Sequence, residues 1–555
     1  MSGDNRLRRR AAPLAVLAAA ALAAGLVTGS LSKSEAERTA QDFASAWERG
    51  DHGGMWRLLT PSAQEEMPPA ELAAAYREAM ATATGTGVDA GDVREEGDGA
   101  KLSVTVATRV FGAIDGDMTL LMEDGRIEWE PRLVFPGLNA GARLRRTTTA
   151  PARAKILARD GSTLIEGDAS ARISPLGLAG AEIAGVLAPP ETEDERDSLY
   201  ARGFDRSTPV GVSGLERILE ERVAGTPGGR LLAGARVLAS ATPRPAEPAR
   251  TTIDVGIQQA ATTALAGRFG GIAALDARTA EVRALAGIAF SAPQPPGSTF
   301  KIVTATAALE KKLVKTDTQF PIETAAVIDG VDIQNANGES CGGSFAASFA
   351  HSCNSVFAPL GVRLGAEDLV EAAERYGFNA DPALPGAAPS TLPQADEIAS
   401  PLELGATAIG QGRVLATPLL LASMAQTVAS GGVRRIPTVF RGGEPAREVR
   451  VTSRRVARTL ERLMVGVVAY GTGTAASLAP IGVAGKTGTA ELEDTTDEED
   501  IEQTPGSDTD AWFTAYAPVK NPRLAVAVLL VRNGAGGETA APAARVVLQA
   551  GVGPG

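Results

Sequence analysis

Apolar residues recur along this chain with different spacings, and each change of spacing marks a boundary. The run Ala11–Ser30, AAPLAVLAAAALAAGLVTGS, carries no charged residue and follows a cluster of Arg6, Arg8, Arg9 and Arg10. About 20 apolar residues span a bilayer core, and basic flanks stay on the cytoplasmic side. Residues 1–31 are therefore expected to form a basic tail and a membrane anchor, with a cleaved signal as the alternative. Helical spacing begins at Ser34 in SEAERTAQDFASAWERGD, where Ser34 and Glu37 fit a capping box and Ala36, Ala40, Phe43 and Trp47 share one face. Period-two alternation follows in KLSVTVATRVF (101–111). MTLLM and IEWEPRLVF then flank a turn at Glu123-Asp124-Gly125-Arg126. Helices followed by a curved antiparallel sheet predict a small α+β domain over residues 32–138, closed by Phe135-Pro136-Gly137. It holds no convergent polar set, which suits a spacer or docking role.

Residues 139–250 mix short strands, a helix and loops. A hairpin is expected at Asp160-Gly161, Pro189 and Pro190 interrupt the pattern, and Pro243, Pro245 and Pro248 mark a linker. This reads as a non-catalytic pedestal. From Thr251 the pattern changes again. IDVGIQQAATTALAGRF predicts a helix and GGIAALDARTAEVRALAG a strand–turn–strand unit around Asp276–Ala280, and helices with a few strands alternate from there to residue 555. The whole is expected to be a multidomain α+β protein.

Composition narrows the chemistry. A chain of 555 residues is too long for one core, and a net charge of −12 argues against a nucleic-acid binder. Only two histidines, His52 and His351, and two cysteines, Cys341 and Cys353, are present. That argues against a zinc site and against a histidine-based triad, so no metal or cofactor is expected. Acyl-transfer chemistry in this chain would need another base.

Three short motifs in the last 305 residues supply candidates. In PPGSTFK (295–301), Ser298 stands at an expected helix start, where unpaired N–H groups favour negative charge. Lys301, three residues on, shares its face, and a desolvated lysine can serve as a base. In HSCNSVF, Ser352 and Asn354 flank Cys353 and can face one cleft, the hydroxyl relaying a proton and the amide holding a carbonyl or the lysine. In VAGKTGTAEL (483–492), glycines and alternation predict an edge strand presenting Lys486, Thr487 and Thr489 beside Gly488, a set suited to a carboxylate. Each motif alone is weak. In this order within one domain they form the set of penicillin-recognising serine enzymes.

The sequence at this point resembles the class B penicillin-binding proteins. Supporting matches are IGQGRVLATPL (409–419), YGTGT (470–474) and AWFTAYAP (511–518). GLE (214–216) and AGTPG (224–228) resemble the pedestal that precedes such transpeptidases. RAKILARDG (153–161) keeps Arg153 and Arg159 of the family pattern, but Ala154 and Ala158 replace its Gly and Asp, which leaves its usual ion pairing open. Residues 32–138 loosely resemble the nuclear-transport-factor-like domain of the methicillin-resistance type.

The resemblance implies a C-terminal domain (251–555) with a central antiparallel sheet covered by helices, acting as a peptidoglycan D,D-transpeptidase. Ser298 would attack the D-alanyl-D-alanine carbonyl of a stem peptide while Lys301 takes its proton. The N–H groups of Ser298 and Thr489 would hold the oxyanion, and Ser352 with Lys486 would return a proton to the leaving D-alanine. Asn354 would bind the substrate amide, and Thr487 and Thr489 its carboxylate. β-Lactams would acylate the same serine. No glycosyltransferase-like segment lies between the anchor and residue 251, so a membrane-embedded glycan polymerase is the expected partner of a chain held at the cell membrane with its catalytic domain on the extracellular or periplasmic side. D,D-carboxypeptidase or β-lactam-hydrolysing activity, or a silent division scaffold, are the rival readings.

Two features stand apart. Cys341 and Cys353 bracket the loop before the second motif, and an extracytoplasmic compartment would let them form a disulfide; two buried thiols are the alternative. The acidic stretch ELEDTTDEEDIEQTPGSDTD (491–510) predicts a long loop beside the edge strand, either simply solvated or biasing the cleft toward cationic acceptors.

Overall fold

The capping box at Ser34 is formed: its hydroxyl accepts from the Glu37 N–H at 3.2 Å, and Glu37 accepts from the Ser34 N–H at 3.2 Å. Helix α1 (Glu35–Glu48) starts there and buries Ala40, Phe43 and Trp47. The computed structural model describes residues 33–382, 384–442, 446–491 and 509–553. The expected anchor at 1–31 lies outside the described residues, as does residues 492–508 of the acidic stretch. Among the described residues no helix is long and apolar enough to cross a membrane.

These residues gather into two compact units. The first takes the described chain through Ala152 with Pro189–Pro209 and Gly225–Pro245; the second takes Arg153–Ala188, Val210–Ala224 and the chain from Ala246. Residues 139–250 thus contribute to both.

In the first unit, α1 packs on the antiparallel sheet of β1 (Gly85–Glu96), β2 (Gly99–Thr108), β3 (Gly112–Glu123) and β4 (Arg126–Ile127). Asp124 and Gly125 have φ of 50° and 72°, the left-handed pair of the expected turn. Two differences from the sequence reading have local causes. The strand after that turn stops at Ile127 and Pro131–Val134 forms a 3-10 turn, because Pro131 cannot continue a ladder. Strand β1 went unread because its sequence, GTGVDAGDVREE, is glycine-rich and acidic, and pairing with β2 holds it.

The second unit is built on a five-stranded sheet in the order β6-β5-β9-β8-β7. Its strands are β5 (Gly270–Asp276), β6 (Val282–Gly287), β7 (Ala484–Glu491), β8 (Thr509–Ala517) and β9 (Leu524–Leu530), all paired antiparallel. The strand–turn–strand unit read at 270–287 is β5 and β6. Alternate residues feed two cores. Leu275, Leu285, Trp512, Tyr516 and Leu529 enter one, while Ile272, Phe513, Val526 and Val528 enter the other. Helix α2 (Val255–Leu265) and the C-terminal helix Ala540–Val552 cover the second face. The first face is covered by helix Pro418–Ala429. With both faces hidden, LAVAVLL of β9 is buried at every position, which erases the alternation that would betray a strand.

The altered 153–161 segment keeps its ion pairs. Arg153, 5% exposed, meets Glu216 at 2.7 Å and Glu220 at 2.6 Å, and Arg172 shares Glu216 at 2.7 Å. Arg159 reaches Asp254 at 3.5 Å. Glu216 of the GLE helix and Glu220 of the next short helix therefore satisfy the arginine without the missing aspartate.

Candidate active site

Three glycine contacts bring the motifs together. Ser298 lies in the 3-10 turn Gly297–Phe300, which runs into helix α3 (Lys301–Glu310). Gly297 has φ 51°, donates its N–H to Gly410 O at 2.9 Å, and faces Thr489 O so closely that a Cβ would collide. On the strand side, a Cβ on Gly488 would meet Pro296 O at 2.7 Å and Thr299 Cγ2 at 2.9 Å. The backbone of the serine turn is thus seated directly against β7, and both glycines are required for that approach. Gly410 of the IGQGRVLATPL segment clamps the turn from the other side. Trp512 of β8 fixes its entry by donating Nε1–H to Pro295 O at 2.8 Å.

Lys301 follows Ser298 by one turn and is fully buried. Its Nζ lies 3.0 Å from Ser298 Oγ, 2.7 Å from Ser352 O, 2.6 Å from Asn354 Oδ1 and 3.4 Å from Ser352 Oγ. Burial, and then the charge of Lys486, push its pKa well below the ordinary lysine range. A neutral amine has two hydrogens and one lone pair. Ser352 O can only accept. Asn354 Oδ1 can only accept too, since Asn354 Nδ2 donates to Gln334 O at 2.8 Å, which fixes the amide's orientation. These two acceptors take both hydrogens, and the lone pair is left facing the Ser298 hydroxyl.

Lys486 stands on edge strand β7 and is also fully buried. It donates to Ser352 Oγ at 2.8 Å and to Thr487 O at 3.0 Å, and burial lowers its pKa to about 7. The Phe357 ring lies 5.5 Å from Lys301 Nζ and the Phe349 ring 5.7 Å from Lys486 Nζ, and they supply the apolar surroundings. The polar partners of both lysines are hydroxyls, carbonyls and an amide, with no carboxylate among them. A buried lysine without an acid is held towards its neutral form.

Ser352 connects the two amines. It adopts φ 63°, a left-handed conformation that costs a non-glycine residue roughly 1 kcal/mol, and this points its carbonyl at Lys301 and its hydroxyl at Lys486. Cys353 beside it forms a disulfide with Cys341, with Cα atoms 5.4 Å apart. Ser298, Ser352 and Asn354 are partly exposed while both lysines are hidden, so hydroxyls face the cleft and the amines sit behind them.

All eight expected site residues therefore belong to one locus. Asn354 Oδ1 accepts from Lys301 and one Nδ2 hydrogen goes to Gln334 O, so the amide positions Lys301 and keeps a second Nδ2 hydrogen for the substrate contact the resemblance implied. Thr489 Oγ1 accepts from Gly536 N at 3.3 Å. Thr472 was quoted within YGTGT but given no role; its Oγ1 lies 2.5 Å from Thr487 Oγ1 and orients that hydroxyl. The Gln334 carbonyl, which accepts from Asn354 Nδ2, is a further contributor that the sequence does not mark. A main-chain carbonyl that fixes an amide's orientation by accepting from it has no side-chain signature in sequence.

Comparison with known proteins places the same region. A family described as the penicillin binding protein transpeptidase domain matches residues 270–549. Peptidoglycan D,D-transpeptidase PbpA of Mycobacterium tuberculosis is 35% identical over 291 residues, covering 47% of this chain and 56% of that protein. The protein of the same name from Mycolicibacterium smegmatis is 34% identical over 287 residues, with the same coverages of 47% and 56%. The chain thus matches little more than half the length of these relatives. Among solved structures, penicillin-binding protein A of M. tuberculosis as its penicillin G acyl-enzyme is 26% identical with a TM-score of 0.58, covering 73% of this chain and 100% of that one. The D,D-transpeptidase domain of a peptidoglycan glycosyltransferase from Eggerthella lenta is 27% identical with a TM-score of 0.58, covering 72% and 98%.

Proposed function

Because this chain belongs to the family of penicillin-binding protein transpeptidase domains, we propose that it is a class B peptidoglycan D,D-transpeptidase. Ser298 Oγ attacks the carbonyl of the penultimate D-alanine of a stem peptide, and its proton passes to the Lys301 lone pair. The peptide bond to the terminal D-alanine breaks, leaving an ester on Ser298. Lys486, through the Ser352 hydroxyl, supplies the proton that the departing amine takes. The N–H groups of Ser298 and Thr489 stabilise the oxyanion, while Lys486, Thr487 and Thr489 receive the terminal carboxylate. The amine of a second stem peptide then attacks the ester, forming the crosslink and freeing Ser298. A β-lactam enters the same first step. The observation that carries this reading is the saturation of Lys301 by Ser352 O and Asn354 Oδ1, at 2.7 and 2.6 Å, with Ser298 Oγ 3.0 Å away.

The proposal includes an anchor over residues 11–30, catalysis outside the cell membrane, and a membrane-embedded glycan polymerase as partner. The charge-free run and its arginine flank support the anchor and the side on which catalysis takes place, and the lack of a glycosyltransferase-like sequence between the anchor and residue 251 supports the partner. Incubation with a fluorescent penicillin followed by peptide mass spectrometry tests the chemistry. A long-lived adduct on Ser298, with formation of crosslinked stem-peptide dimers, is expected. Rapid release of the label would point to a hydrolase, and no adduct would point to a silent scaffold.

A further inference from the structure

A cavity of about 600 Å³ opens in the second unit, lined by none of the residues assigned to the acyl-transfer site. Its walls come from the C-terminal end of helix Ala366–Tyr376, the start of helix Pro418–Ala429, and residues within 434–440 and 446–447. Leu384, Leu419, Ile436 and Phe440 make it largely apolar. Arg434 and Arg447 both line it. The Arg434 guanidinium lies against Gly377 at the helix end, and its buried Nε has no hydrogen-bond partner among the described residues. Its neighbour Arg435 takes Glu448 at 2.7 Å, which leaves no described carboxylate paired with Arg434. Burial and the charge of Arg447 both lower the Arg434 pKa, as two guanidinium groups sharing a partly dry space would.

The hydroxyls on the wall separate into spent and unspent. Thr417 caps its helix by accepting from Leu420 N at 3.3 Å, and Ser390 accepts from Thr417 N at 3.0 Å. Ser423, 1% exposed, has a buried Oγ with no partner. Native interiors seldom leave a buried hydroxyl or guanidinium N–H unsatisfied, and this cavity is lined by one residue of each kind. The acid on the rim, Asp381, is exposed.

We propose that this cavity is a second binding site, for an amphipathic oxyanion: a carboxylate or phosphate monoester on an apolar body. Arg434 and Arg447 take the oxyanion in the forked geometry that guanidinium groups favour, and the leucine, isoleucine and phenylalanine walls take the body. The volume falls within the range of small-molecule sites.

Calorimetric titration of the full chain with hexyl phosphate, hexanoate, hexanol and inorganic phosphate tests this. Hexyl phosphate or hexanoate should bind, the tighter of the two identifying the headgroup, and each by about tenfold or more over hexanol and inorganic phosphate. Arg447→Gln, at an exposed position, should weaken the bound probe about fivefold or more, and Arg434→Met about tenfold or more. Labelling of Ser298 by fluorescent penicillin should be unchanged in Arg447→Gln, which separates this site from the catalytic one. Equal binding of hexanol and hexanoate, undiminished binding in Arg447→Gln, or no binding of any probe would overturn the proposal. Arg447→Gln alone decides the matter if Arg434→Met does not fold.

Discussion

Asn354 divides its amide between Lys301 and the backbone of Gln334: Oδ1 lies 2.6 Å from Lys301 Nζ, and Nδ2 donates to Gln334 O at 2.8 Å. The second bond sets the direction of the first. An amide so fixed gives Lys301 an acceptor without giving it a counter-charge, so burial and the charge of Lys486 are left to hold the amine towards its neutral form.

Replacing Asn354 by Asp puts an anion beside that amine. Opposite charge at this distance favours the protonated lysine, so the Lys301 pKa rises and the base is lost near neutrality. The acylation rate constant with a β-lactam should fall by roughly 10²–10⁴ at pH 7 and recover as pH increases. Stopped-flow acylation across pH checks it; a parallel drop at every pH would contradict the charge argument.

Lys486 links the site to stability. Its pKa is lowered to about 7 in the fold, against about 10.4 unfolded. The unfolded state therefore binds more protons between these values, and stability rises with pH across that window. Equivalently, the stability is fully present above the unfolded value and is lost as pH falls towards 7. Lys486→Met removes this dependence, by up to about 1.4 kcal/mol per pH unit. It should be more stable than the parent at pH 7, with the gap closing by pH 10, while acylation is largely lost. Urea titrations at several pH values read the gap.

Gly488→Ala tests how the serine turn is seated. The new methyl group would meet Pro296 O at 2.7 Å, a backbone atom that cannot swing aside. Overpacking of this kind costs about 1–3 kcal/mol, and the turn must separate from β7. Penicillin labelling should slow by about tenfold or more, with a lowered Tm. Unchanged labelling would show that the contact is not needed.

The pair Arg153 and Glu216, 5% and 1% exposed, is a stability element of the second unit. Glu216→Gln leaves Arg153 with Glu220 but Arg172 without its carboxylate. Removing one partner of a buried ion pair costs about 3–5 kcal/mol. Denaturant midpoints should drop accordingly, and the acylation rate of the folded fraction should stay near that of the parent.

Reduction of the Cys341–Cys353 bond should destabilise the chain by about 3 kcal/mol in the chain-entropy description. Labelling of Ser298 should slow as well, because Ser352 and Asn354 flank Cys353. Intact mass with and without reductant, alongside the labelling rate, measures both effects.

Short-range chemistry is what the sequence by itself determined. The capping box at Ser34, the turn at Asp124-Gly125, the glycine-permitted strand carrying Lys486, and the order of the three motifs all depend on neighbours a few residues apart. The tertiary structure decided the rest. Ser298, Ser352 and Lys486 are separated by more than fifty residues at each step, and only the seating of Gly297 against β7 brings them within hydrogen-bond reach. The neutral state of Lys301 depends on burial and on the charge of Lys486, and the aim of its lone pair on a backbone carbonyl at Ser352 and, through Asn354, on another at Gln334. Strands β8 and β9 are hidden on both faces, and β1 is held by its partner rather than by its own composition. Burial and main-chain acceptors act through space and leave no residue-type signal, so they became visible only once the chain was folded.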